Sequence, residues 1–155
     1  DISNWDVSNV TDMYKMFAVA YNFNQALNDW DVSNVTNMSL MFYNTNNFNQ
    51  PLNNWDVSNV TNMAYMFDRA KSFNQALNGW DVSNVKYMDH MFEESFFNQD
   101  VSGWNINSVE CISHIFDTSL FNQDISDWLI YKPLLELCIG DKRIYNKLKR
   151  WIEYK

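Results

Sequence analysis

Four aspartates recur at a fixed interval, Asp6, Asp31, Asp56 and Asp81, and Asn105 continues the line. Carboxylates repeated along one surface are ligands of the kind that hard cations, Ca2+ above all, prefer. Each aspartate also precedes a Val-Ser-Asn turn, where an Asp side chain commonly accepts from the backbone or hydroxyl groups that follow it. Two readings therefore stand: a local turn bond copied into every repeat, or a strip that binds a cation or a basic partner. One carboxylate per repeat is few for a Ca2+ cage of roughly 6–8 oxygens, and the local bond is favoured, with no cofactor expected.

Other residues with reactive side chains are sparse. His90 and His114 lie 24 positions apart, in one column on adjacent repeats, with Asp89 beside the first. Two imidazoles fall short of the three or four ligands of a zinc site, so they read as surface histidines on a helix. Cys111 and Cys138 have no CxxC spacing and read as small buried apolar groups. Nucleophile elbows, phosphate loops and HExxH motifs are absent, and only 3 Gly occur where such loops need them. The expectation is a protein that is not an enzyme and has no catalytic residues.

What must position these columns is repetition. Trp5, Trp30, Trp55, Trp80, Trp104 and Trp128 keep a beat of 25 residues that shortens to 24, and Phe-Asn-Gln at 23–25, 48–50, 73–75, 97–99 and 121–123 keeps the same beat. The contraction falls between Phe92 and Phe97 and again between Phe116 and Phe121, in one loop. Within a unit, Trp30 and Val32 flank Asp31 with the alternation of a strand, whereas Val35, Met38, Met41 and Phe42 follow the three-and-four spacing of a helix face. Ser33 or Thr36 stands where a helix cap would. The pattern predicts an α/β repeat solenoid with one short parallel strand and one short helix per coil of 24–25 residues, the strands stacked about 4.8 Å apart. The asparagines Asn24, Asn49, Asn74, Asn98 and Asn122 would form a ladder at the corner.

The segments WDVSNVTNM at 30–38 and 55–63, with Phe-Asn-Gln and a following Leu, resemble the BspA-like bacterial surface-protein repeats, relatives of leucine-rich repeats. The spacing Leu27-x-x-Trp30-x-Val32-x-x-Val35 likewise resembles a leucine-rich-repeat core, over residues 1 to about 128. That resemblance implies a leucine-rich-repeat-like curved solenoid, extracellular or on the cell surface, used in adhesion or recognition. It carries no catalytic residue to this chain.

Residues 1–128 form the repeat array of about five coils, and 129–155 depart from the pattern. Pro133 could open a helix ending at Gly140, and Asp141 could cap a second with Ile144, Leu148, Trp151 and Ile152 on one face, a helical C-terminal cap over the open apolar end. The chain starts at Asp1, inside a repeat, which suggests that upstream sequence is missing. No apolar run approaches the ~20 residues that span a bilayer. The array holds 4 Lys/Arg against 16 Asp/Glu, and the tail 7 against 3. An acidic body repels nucleic acid, so the expected partner is a protein or a glycan.

The inward residues are fixed from coil to coil while the exposed ones change. Tyr14, Tyr43, Tyr65, Arg69, His90 and Phe96 are the candidate recognition surface, and the six tryptophans the structural core. A rival reading has near-identical coils building a self-associating spacer or shell.

Overall fold

The computed structural model describes residues 1–131. The cap helices expected after Pro133 lie outside the described residues. Five coils follow one another: 1–25, 26–50, 51–75, 76–99 and 100–123, with a 3-10 helix at Ser126–Tyr131 behind them.

Among the described residues that 3-10 helix is the only helix, and the only strand pairing is a set of isolated parallel bridges, Asp12 to Asn37, Asn37 to Asn62, Asn62 to Tyr87 and Tyr87 to Cys111. The expected strand and helix in every coil are both wrong. Where the spacing of Val35, Met38, Met41 and Phe42 suggested a helix, residues 38–45 of the second coil form a ribbon of overlapping turns. Met41, Tyr43 and Thr45 donate their amides three residues back, to Met38, Leu40 and Phe42. The alternate amides, of Met38, Leu40, Phe42 and Asn44, leave the coil and reach the carbonyls of Asn62, Ala64, Met66 and Asp68 at 2.8–2.9 Å. An α-helix keeps every amide for its own residue four back. Here half of them tie one coil to the next.

Backbone handedness explains the difference. Leu40 (φ 58°) and Asn44 (φ 54°) are left-handed, as are Tyr65 and Arg69, His90 and Glu94, and their equivalents in the outer coils. A left-handed residue every fourth position cancels the right-handed screw and flattens the segment. Turns of three still return side chains to one face, so the apolar spacing that suggested a helix is met without one. Each such residue costs an L side chain roughly 1–2 kcal/mol, offset by the inter-coil bonds and by the core below. Val19, β-branched at φ 63° and well exposed, carries the strain with little burial in return. Val19→Asn is expected to stabilise by about 0.5–1 kcal/mol, because Asn tolerates this region, and Asn44→Val to destabilise by a similar amount. Urea midpoints with unchanged slopes check both.

The Trp-Asp-Val stretch alternates as a strand would, with Trp30 and Val32 buried and Asp31 exposed, yet no backbone ladder joins these stretches. The indole takes over. Nε1 of Trp55, Trp80, Trp104 and Trp128 donates to the carbonyl of Leu27, Leu52, Leu77 and Val101 in the preceding coil at 2.8–3.2 Å. Trp80→Phe is expected to lose about 1–2 kcal/mol: the hydrogen bond goes and volume is lost, but the Leu52 carbonyl keeps the amide of Trp55. Neither Ser33 nor Thr36 caps a helix; their hydroxyls bond to Asp31 and to the Thr11 carbonyl.

The core consists of aromatic columns. Phe17, Phe42, Phe67, Phe92 and Phe116 stack with centroids 5.4–5.7 Å apart, and the Phe-Asn-Gln phenylalanines form a second column beside them at 5.8–6.3 Å. Both spacings exceed the ~4.8 Å between hydrogen-bonded backbones, so the rings are slipped over one another. In the shortened coils the missing residue is bridged by a hydroxyl. Phe48 and Phe73 donate to the carbonyls of Thr45 and Ala70, whereas Phe97 donates to Ser95 Oγ, which itself donates to the Phe92 carbonyl. Ser119 repeats the relay.

Candidate functional site

Each Asp of the repeated column is held by its own turn. Oδ1 of Asp31 accepts from the amide and hydroxyl of Ser33 at 3.1 and 2.6 Å, Asp6 does the same with Ser8, and Asp56 and Asp81 accept from the amides of Ser58 and Ser83. Asn105 accepts from Asn107 in the same way. The serine hydroxyl and amide hold the Asp6, Asp31 and Asp81 carboxyls below the usual carboxylate range. The repeated turn accounts for the column. Among the described residues no group of three or more His, Cys, Asp or Glu is placed to hold a metal ion.

Further rows of such turns escaped the sequence reading. Asp12, Asn37 and Asn62 accept from Tyr14, Ser39 and Ala64, and Asp1, Asp100 and Asp124 from Ser3, Ser102 and Ser126. The last two carboxylates line a shallow hollow of about 180 Å³ with Gln123 and Asp127. Between coils, Oδ1 of Asn24, Asn49, Asn74 and Asn98 accepts from the amide of the next asparagine at 2.8–3.0 Å, the ladder anticipated at that corner.

The variable residues converge on the turn ribbon. Left-handed positions project outward there, so Tyr65, His90 and His114 form a single stack, with centroids 4.4 and 4.9 Å apart. The i to i+3 turn then returns an acid to each imidazole: His90 Nδ1 meets Glu93, and His114 Nδ1 meets Asp117 at 3.2 Å. These histidines are not helix-surface residues but members of an ordered ring stack backed by carboxylates. The second left-handed row carries Arg69, whose guanidinium reaches the Tyr43 hydroxyl at 3.3 Å and Glu94 at 3.2 Å, while Lys71 donates to the Glu94 carbonyl. Tyr43, Tyr65, Arg69 and His90 thus share the ribbon of neighbouring coils. Tyr14 lies on the ribbon of the first coil, with Lys15 over its ring. Phe96 stands at the corner before Phe97 and is exposed, as is Leu120 at the equivalent position of the following coil.

One charged group here is buried. The Asp68 residue is 5% exposed, and burial, then the neighbouring Glu93, pushes its carboxyl up to about 7 against the opposing pull of Arg69. Its Oδ1 has no hydrogen-bond partner and sits 3.9 Å from Arg69 Nε. Glu94 in turn raises the Arg69 guanidinium. Sequence reading gave no role to Asp68, Glu93 and Asp117, although each stands three residues after an aromatic of the column, nor to Glu94 one position further on. Of the six repeated tryptophans, Trp30, Trp55, Trp80, Trp104 and Trp128 are buried and Trp5, at 55% exposure, is not. Cys111 is half-buried, and desolvation raises its thiol, away from the thiolate a nucleophile needs.

The fold is thus a stack of turn-built coils with an invariant aromatic interior and a changing polar exterior. The family model described as "Mycoplasma protein of unknown function, DUF285" matches residues 1–96 and again 52–134, and the chain belongs to that family. No curated protein and no solved structure matches it.

Proposed function

We propose that this protein is a non-enzymatic recognition module, displayed at the cell surface, that binds a protein or glycan partner through the outward rows of its turn ribbon. One observation carries the reading: every coil keeps Trp and Phe at its inward positions and varies the other inward positions only among apolar residues, Ile106, Ile112 and Ile115 replacing Val and Met in the fifth coil, while the left-handed, outward positions change from Lys15 through Leu40, Tyr65 and His90 to His114. A rigid scaffold with a variable exterior is how repeat proteins present binding surfaces. The likeness of WDVSNVTNM to BspA-like repeats, relatives of leucine-rich repeats, supports the surface location. Among the described residues no helix is long and apolar enough to cross a membrane.

The test is binding to a glycan array and a panel of purified extracellular-matrix and serum proteins. The triple variant Tyr65→Asn, His90→Asn, His114→Asn keeps side chains that tolerate the left-handed backbone, so it should retain its melting temperature. It is expected to lose at least about tenfold in affinity for whichever ligand the wild type binds. Absence of binding across both panels, or binding indifferent to the triple change, contradicts the reading.

A further inference from the structure

The inter-coil bonds have a direction. Amides of Met13, Lys15, Phe17 and Val19 donate to the carbonyls of Asn37, Ser39, Met41 and Tyr43 at 2.7–3.1 Å, and every later coil repeats the sense. Each ribbon thus presents carbonyls toward the coil before it and amides toward the coil after it. In the first coil the corresponding carbonyls, those of Asp12, Tyr14, Met16 and Ala18, accept from no described residue.

Three other devices run the opposite way and are equally open at this end. The Thr36, Thr61 and Lys86 amides donate back to Thr11, Thr36 and Thr61, which leaves the Thr11 amide free of such a bond. The asparagine ladder leaves the Asn24 amide open. Trp5 Nε1 has no described carbonyl to meet, and the residue is 55% exposed where the other five column members are at most 4%. Met16 and Val19 of the same coil are exposed as well, although Met41, the equivalent of Met16, is fully buried in the next coil.

We infer that this end face is a docking face for one further coil of the same 24–25-residue repeat, seated head to tail. The occupant is specified by complementarity: a row of alternate amides for the four carbonyls, carbonyls for Thr11 and Trp5, and apolar side chains over Trp5, Met16 and Phe17. A coil's following face offers all of these, as the four inter-coil junctions already on view demonstrate. A second copy meeting this face by its own equivalent would set carbonyl against carbonyl. The face thus selects orientation as well as repeat type, and it is separate from the outward rows proposed to bind a partner.

The experiment joins a copy of residues 26–50 ahead of Asp1 in the full chain and follows amide hydrogen exchange. Thr11 and Asn24 are expected to exchange at least about tenfold more slowly in the extended protein, with the Trp5 indole N–H protected alongside them and a higher melting temperature. An extension with the same 25 residues in scrambled order controls for mere tethering and should leave both amides as in the parent. Unchanged exchange at Thr11 and Asn24 with the ordered extension overturns the inference. Concentration-dependent protection of the same amides in the unextended chain overturns it too, because a second copy would then be the occupant.

Discussion

Phe67→Ala is expected to remove about 3–5 kcal/mol of stability, a large share of the roughly 5–15 kcal/mol available to a protein of this size. Phe67 is fully buried and its ring stacks on Phe42 above, Phe92 below and Phe73 within its own coil, with Trp80 alongside. Truncation therefore opens a void in both columns, and close-packed neighbours relax only in part. Phe17→Ala is the internal comparison. Phe17 stacks on Phe42 and Phe23 but has no ring on its outer side and is only partly buried, so its loss should cost less than half as much. Urea denaturation gives both values. Equal costs would mean that stacking between coils contributes little.

Asp68→Asn is expected to stabilise the protein at pH 8 and to change little at pH 4. In the unfolded chain an aspartate carboxyl titrates near 4; in the fold, burial and Glu93 push it to about 7. Between those values the folded state holds a proton that the unfolded state has released. Stability therefore falls as pH rises through this window, and the loss is complete above it. Three pKa units correspond to roughly 4 kcal/mol at most, with the pull of the Arg69 guanidinium at 3.9 Å already included in that shift. The amide of Asn has the volume of the acid and no charge to desolvate. Melting temperatures of wild type and variant from pH 4 to 8 should diverge upward for the variant. A variant less stable than wild type at pH 8 would mean that Asp68 is a useful ion-pair partner rather than a buried liability.

Much of the interior was legible because burial constrains residue type. The Trp, Val, Met and Phe positions keep their places along the sequence, and nearly all of them are core residues. The backbone that carries them was not. A helix and a ribbon of three-residue turns put apolar residues on one face at similar intervals, and the distinguishing sign is a left-handed residue every fourth position. Glycine usually marks such positions, but here they are Lys15, Leu40, Tyr65, His90 and others, held there by bonds to the next coil. Sequence periodicity is blind to a bond spanning 24 residues. The Asp column read two ways because a local turn bond and a cation strip use the same residues; Ser8 and Ser33 occupy its oxygens, and Asp68, which looks like a loop residue, gave no sign of its burial.

The central claim is that alternate ribbon amides leave their own coil, and scalar couplings measured through individual hydrogen bonds by NMR test it most directly. Couplings are expected from the amide nitrogens of Tyr65, Phe67 and Arg69 to the carbonyl carbons of Asp89, Met91 and Glu93. A coupling from Phe67 to Met63, the residue four back, would show an α-helix in that segment and contradict the account.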